Sequence, residues 1–360
     1  TERPNPAKRD KTWLSNARNY RTRRRTMKKT LLVLALLLIA AAAAFLTLGD
    51  GSDSGGHNSD TSSNFTVSDE EIAQITQAPS LTQTFSSIST RYDAKAAYDR
   101  GDYQTARELW LTLANRDDDA TSAQYNLGKL YANGQGVQQS DDTARDWWQK
   151  TTGDNEEARL LLDTLPTVPD PQYTYATFHE KWQPAAAAGD ADAQYKLAAL
   201  YLTGVGVPRD RNEALNWLEK AAAQNHAAAQ YQLGRLYDSL NSSLRNPVKA
   251  HEWWEKASAL GNADAQNALA LKYAIGYLID DYYPQDPCRA IALREQAAAQ
   301  GHPQAQTSLA ANYIDGEPAC SLAADKTKAR ALLEQAIANG SKRTREQAKL
   351  ILYELERDTQ

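Results

Sequence analysis

The stretch Ala193-Gln194-Tyr195-Lys196-Leu197-Ala198-Ala199-Leu200-Tyr201 sets the register for most of this 360-residue chain. Its Gln recurs at 124, 194, 230, 266, 306 and 347, with Arg159 taking one place, so successive anchors lie 35, 35, 36, 36, 40 and 41 residues apart. Self-similarity at that period marks a repeat architecture. Each anchor is followed three residues later by a Leu (127, 162, 197, 233, 269, 309, 350), and five of them seven residues later by a Tyr (131, 201, 237, 273, 313). Offsets of three and seven share one face of a helix. A second pattern, Ala-x-x-Trp or Ala-x-x-Leu, recurs at Ala144 and Trp147, Ala214 and Trp217, Ala250 and Trp253, Ala290 and Leu293, and Ala329 and Leu332. Each unit therefore reads as a helix, a turn and a second helix. Such a hairpin cannot bury its apolar face alone, so the units must stack. The sequence predicts an all-α fold, a right-handed α-solenoid.

The array is expected to open near Tyr92 and to run through N-terminal repeats over 92–165. In the unit around Arg159, Pro166, Pro169 and Pro171 cut off the regular continuation. Residues 166–174 read either as a Pro-rich joint that bends the array or as an irregular loop without a bend. C-terminal repeats follow over 175–356. The last helix, about Lys342 to Glu356, carries many charged side chains and reads as a polar cap.

Composition is that of an ordinary globular or repeat protein, 42% hydrophobic and 24% charged. The net charge of -5 hides an asymmetry. Residues 1–48 hold 11 Lys or Arg against Glu2 and Asp10, leaving 29 against 43 for the rest. Nucleic acid is thereby a poor partner for the acidic array. Leu31 to Leu48 is uncharged, with Thr47 its one polar residue, and the cluster Arg23, Arg24, Arg25, Lys28 and Lys29 precedes it. The next Lys or Arg is Arg91. These features predict a basic cytoplasmic tail over 1–30, which can also touch anionic lipid headgroups, and a transmembrane anchor over 31–48. By the positive-inside rule everything beyond lies outside the cytoplasmic membrane. If translation starts at Met27, the same segment reads as a cleaved secretory signal that releases the protein to the periplasm. A Gly, Ser, Asp and Asn-rich stretch opens a flexible tether over 49–91, with a short helix near 68–77 introduced by Ser68-Asp69-Glu70-Glu71.

Several linked motifs carry a family resemblance. Ala-Gln-Tyr-x-Leu, the turns Gly134-Gln135-Gly136-Val137 and Gly204-Val205-Gly206-Val207, Ala-x-x-Trp, and junctions such as Ala297-Ala298-Ala299-Gln300-Gly301-His302-Pro303-Gln304-Ala305-Gln306 together resemble the Sel-one-like repeat family, a branch of the tetratricopeptide-type solenoids. The resemblance spans roughly 92–356. It departs from the pattern where Gly-x-Gly-Val is missing, at 238–246, 275–287 and 314–324, and where the unit at 159 is truncated. It implies a binding scaffold with adaptor, assembly or signalling roles in bacterial envelopes.

No catalytic, metal or cofactor constellation emerges. His57 falls in the tether, His226 and His302 in repeat junctions, and His179 and His251 in second helices of different units; paired-Cys zinc spacing and nucleophile-elbow motifs are missing from the sequence. Asp117-Asp118-Asp119 and Asp280-Asp281 read as solvated turns. Trp147, Trp217 and Trp253 are expected in the core, and Trp148, Trp182 and Trp254 between units. Cys288 starts one helix and Cys320 follows its antiparallel partner, so the two either close a disulfide or stay free thiols packed apart. The expected function is a non-enzymatic scaffold for envelope or membrane proteins, working outside the membrane. Its expected contact is the insertion Gly276 to Pro284, with Tyr277, Tyr282 and Tyr283 exposed for binding, or else folded back on the neighbouring unit. A glycan- or peptidoglycan-binding module is the alternative, which exposed Trp148 and Trp254 would favour; a peptidoglycan-processing hydrolase is a weaker one.

Overall fold

The computed structural model describes residues 79–115, 120–151, 154–168, 170, 172–239, 244–276 and 285–357. They form fifteen α-helices: α1 (Pro79–Asp99), α2 (Tyr103–Ala114), α3 (Ala120–Asn133), α4 (Asp141–Thr151), α5 (Glu156–Thr164), α6 (Phe178–Ala187), α7 (Ala191–Thr203), α8 (Arg211–Ala223), α9 (Ala227–Asp238), α10 (Pro247–Ala259), α11 (Ala263–Ile275), α12 (Pro287–Ala299), α13 (Pro303–Asp315), α14 (Lys326–Asn339) and α15 (Lys342–Arg357). Successive helices pack as hairpins and each hairpin packs on the next, which makes an all-α repeat solenoid. Among the described residues no helix is long and apolar enough to cross a membrane. The segment 31–48, the tether up to Ala78 and its short helix near 68–77 lie outside the described residues.

The anchor Gln has a single job, repeated along the array. Its side-chain amide donates to a carbonyl at the end of the preceding second helix: Gln124 to Ala114, Gln194 to Ala186, Gln230 to Ala222, Gln266 to Ser258 and Gln306 to Ala298, at 3.0–3.4 Å. Ala186, Ala222, Ser258 and Ala298 also accept a backbone N–H from three residues on, so each Gln there adds a second donor at a helix end and ties two units together. The recurrent Tyr closes the hairpin through its backbone. The carbonyls of Tyr131, Tyr201, Tyr237, Tyr273 and Tyr313 accept from the N–H of Ser140, Asp210, Asn246, Asp286 and Asp325, at 2.7–3.0 Å. The closure is the same whether or not the loop carries Gly-x-Gly-Val. First helices start on side-chain caps, with Asp190, His226, Asn262 and His302 accepting from the N–H three residues on. The two junction histidines use Nδ1 for this.

Three expectations need correction. The array starts earlier than Tyr92: α1 begins at Pro79 and takes in residues assigned to the tether. Ser- and Thr-rich helices are weak in isolation, and packing of Ala94 and Ala97 against α2 supplies what local propensity lacks. The tryptophans are exchanged. Trp148 and Trp254 are the deeply buried pair, at 0% and 3% exposure, whereas Trp147, Trp217 and Trp253 are half-buried with Lys150, Lys220 and Lys256 over their rings at 4.0–4.2 Å. A Cβ at Gly128 would lie 2.2 Å from Trp148 Nε1, and one at Gly234 2.3 Å from Trp254. Each indole therefore occupies the space that a missing side chain leaves on the first helix. Neither ring can serve as a stacking platform for sugars. Finally, Leu350 does not enter the core. α15 turns Thr344, Ala348 and Leu355 inward and leaves Leu350 58% exposed.

The Pro-rich joint is held firmly. Arg145 Nε donates to the Tyr175 hydroxyl at 2.9 Å and its Nη2 donates to the carbonyls of Leu165 and Pro166. Trp148, Tyr175, Phe178 and Trp182 form a chain of ring contacts at 4.9–6.1 Å. One hydrophobic core thus runs unbroken from Ala132 through the joint to Val205.

Candidate functional site

In a solenoid each unit normally touches only its neighbours, so contacts between distant units identify the side toward which the array curves. Arg159 Nη1 donates to both oxygens of Asp264, 105 residues away, at 2.9 Å. Asp154 accepts from the Ser341 hydroxyl at 2.9 Å, across 187 residues. The inner side is therefore the surface one and five residues after the anchors, which carries Tyr125 and Lys129 on α3, Tyr195 on α7, and Tyr231 and Arg235 on α9.

Around Arg159 this surface is ionic and self-satisfied. Glu156 takes Arg159 at 2.6 Å and Arg235 at 3.3 Å, and Asp264 also meets His302 Nε2 at 3.2 Å. Burial works against ionisation of Asp264, but the His302 and Arg159 contacts outweigh it and hold its carboxyl at about 2. Burial pushes the hydroxyls of Tyr195 and Tyr231 up, so both stay protonated donors.

Further toward the N-terminus lies a cleft of about 1240 Å³ between α1, α3 and the turn at 204–209. Asn133 pins that turn, donating to the Gly204 carbonyl at 3.1 Å and accepting from the Gly206 N–H at 2.8 Å. Gly206 has φ +71, and a side chain there would strike the Ala176 carbonyl at 2.6 Å, so glycine is required for this approach. The aromatic walls are Tyr92, Tyr98, Trp110 and Tyr125. Tyr98 donates to Gln135 Oε1 at 3.1 Å and Tyr125 to the Thr203 carbonyl at 3.4 Å. Lys129 sits among them, only 9% exposed, its Nζ 5.6 Å and 5.9 Å from the ring centres of Tyr98 and Tyr125. Burial, aided by Arg209 and opposed by Glu157, pushes its ammonium down to about 8.

Of the residues expected from sequence to form a site, Tyr277, Tyr282 and Tyr283 lie outside the described residues, as do Asp117-Asp118-Asp119 and Asp280-Asp281. Cys288 and Cys320 are joined in a disulfide, with Cα atoms 5.1 Å apart. Among the described residues no three His, Cys, Asp or Glu side chains converge as metal ligands. The cleft went unremarked in the sequence. Its signal was the position five after the anchor, where Ala199, Leu271 and Ala311 are apolar whereas Lys129 and Arg235 are cationic.

A stack of helical hairpins joined by repeated Gln contacts, with an aromatic and charged inner surface, defines an α-repeat protein of the interaction type. The Sel1 repeat model matches residues 121–151, 191–226, 227–262, 263–302 and 303–341, together just over half of the chain, and the chain belongs to that family. Sel1 repeats generally bind protein partners. Among solved structures, a protective antigen of uropathogenic Escherichia coli displaying an SLR fold is 26% identical over 69% of this chain, with a TM-score of 0.43; the match covers 51% of the antigen, so the chain spans about half of its length. A Sel1 repeat protein from Oxalobacter formigenes is 24% identical over 70% of this chain and 86% of its own, with a TM-score of 0.41. An immunity protein from Pseudomonas aeruginosa is 18% identical over 68% and 81%, with a TM-score of 0.31.

Proposed function

We propose that this protein is a non-enzymatic scaffold that holds a protein partner on its inner surface. The reading rests on the cleft between α1, α3 and the 204–209 turn. It is open, large and walled by tyrosines and a tryptophan, a composition that suits an extended polypeptide, since such rings offer much contact area at little entropic cost. Anchoring through 31–48 would place the repeats outside the cytoplasmic membrane, where they would assemble or regulate an envelope complex. The Cys288–Cys320 disulfide supports an oxidising compartment of this kind. The insertion 276–284, with Tyr277, Tyr282 and Tyr283, would supply a second contact, and the basic tail would touch anionic headgroups.

The test is site-specific photo-crosslinking in intact cells. A photoreactive residue in place of Asn126 or Tyr92, inside the cleft, is expected to give one discrete protein adduct. The same residue at Leu260, which is exposed at a second-helix end, is expected to give none. Adducts of equal yield at both places, or none at either, would refute an inner binding surface. Fractionation before and after alkaline extraction tests the anchor: release into the soluble fraction would refute it.

A further inference from the structure

We propose that the cleft recognises a carboxylate of its polypeptide ligand through Lys129. This deepens the scaffold reading and rests on it. The argument starts from what the repeat does elsewhere. Five residues after the anchor the other units carry Thr164, Ala199, Leu271, Ala311 and Leu352, with Arg235 the one other cation, so hairpin packing does not ask for a cation. Arg235 occupies the same position in its unit, and there Glu156 provides the carboxylate, at 3.3 Å. Lys129 is the counterpart without one. Among the described residues no carboxylate or carbonyl accepts from its Nζ, although the side chain is nine-tenths buried.

Burying most of a lysine side chain without an ion partner is costly, and two tyrosine faces at 5.6 Å and 5.9 Å return only part of that cost. Of the neighbours, Glu157 offsets its charge only in part. Arg209 adds positive potential and faces Glu157 at 3.9 Å, and Lys95 is tied to Asp99 at 2.5 Å. The other polar groups of the wall are engaged within the protein. Tyr98 donates to Gln135, Tyr125 to the Thr203 carbonyl, and Asn126 to the Ser122 carbonyl; Asn133 bonds both ends of its amide to the 204–206 turn. Besides the exposed Arg91, Lys95 and Arg209, the wall thus offers a ligand one deeply placed, point-like cation set between aromatic faces, Lys129. It matches a single negative charge flanked by apolar or aromatic groups. A doubly charged phosphate fits less well, because Glu157 stands nearby. The carboxylate can come from a chain terminus or from an Asp or Glu side chain.

The test uses the full chain and three pools of fluorescent ten-residue peptides of one random neutral composition: free at the C-terminus, amidated, and amidated with a single central Glu. Anisotropy is expected to show at least tenfold tighter binding of the free-acid pool or the Glu pool than of the neutral amide. Lys129→Met and Lys129→Gln, both checked for folding by circular dichroism, are expected to erase that difference and keep the weak binding of the amide. Preference for the free acid assigns the site to a terminus, and preference for the Glu pool assigns it to a side chain. Equal binding of all three pools, or a preference that survives in both variants, overturns the role of Lys129 and leaves the scaffold intact. If no pool binds but benzoate binds the wild type and not the variants, the polypeptide reading falls and Lys129 stands as a small-carboxylate site. If benzoate fails too, both fall.

Discussion

Replacing Lys129 with Met should make the protein more stable. The side chain is 9% exposed and its ammonium is pushed down to about 8 from 10.5, chiefly by burial. At about 1.36 kcal/mol per pKa unit, that shift corresponds to a folding penalty of about 3 kcal/mol at pH 7. Met has a similar length and carries no charge, so it removes the penalty; it also forfeits the contacts with the Tyr98 and Tyr125 rings, worth about 1 kcal/mol. The expected net gain is about 1 to 3 kcal/mol, read as a higher urea midpoint at unchanged slope. The gain should also depend on pH. Between about pH 8 and 10.5 the unfolded lysine holds a proton that the folded one has released, so wild-type stability rises toward that of the variant as pH increases through this window. Unfolding curves at pH 7 and pH 10 check both statements. A variant less stable than wild type at pH 7, or a difference of equal size at the two pH values, would refute the claim that Lys129 is a buried, uncompensated cation.

Three further outcomes follow from the packing. Gly234→Ala should destabilise by about 2 to 4 kcal/mol, because its Cβ would meet Trp254 at 2.3 Å; adding Trp254→Leu should recover most of that, since Ala198 and Leu218 form the same pair natively in the unit before, and no recovery in urea unfolding would refute the pairing. Asp264→Asn should cost about 1 to 2 kcal/mol at neutral pH. Its carboxyl titrates at about 2 in the fold against 3.8 unfolded, so the wild-type advantage is complete above pH 4 and lost as pH falls through 2; a pH-independent difference would show that Asp264 acts through packing alone. Cys288→Ser opens a loop with a sequence separation of 32 residues and should lower stability by about 3 to 4 kcal/mol in oxidising buffer, with no effect once the wild type is reduced, as thermal unfolding with and without reductant will show.

The repeat was legible because Gln, Leu and Tyr recur at fixed offsets, and the helix boundaries follow from them. Why the anchor is Gln was not legible, since its partner is a carbonyl in the preceding hairpin and nothing in the local pattern names it. The tryptophans were misassigned for a related reason. Residues three and four after the helix-two Ala flank the same face, and which one turns inward depends on the neighbouring helix. A signal was present in Gly128 and Gly234, which weaken a helix interior and are justified only where something large comes close. Where the first helix has Gly, the second has Trp148 or Trp254; where it has Ala198, the second has Leu218. α1 was cut short because its Ser- and Thr-rich half carries little helical preference, and only packing onto α2 completes it.

The cleft itself is a product of the irregular unit. Helix α5 is short, ending at Thr164, and the next helix starts only at Phe178. Arg145 clamps the connection through Leu165, Pro166 and Tyr175, and the stacked rings of Trp148, Tyr175, Phe178 and Trp182 fill the space that a regular hairpin would occupy. The unit of α7 is thereby drawn toward the unit of α3, close enough for Asn133 to bond the turn at Gly204 and Gly206 across 71 and 73 residues. Lys129 lies where these two units meet, and it is the same turn that takes it out of water. At the position five after the anchor Leu271 is 53% exposed, whereas Lys129 is 9% exposed. The degeneracy at Arg159, which in sequence looks like decay of the repeat, thus accompanies a walled site in which Lys129 is buried between tyrosine rings.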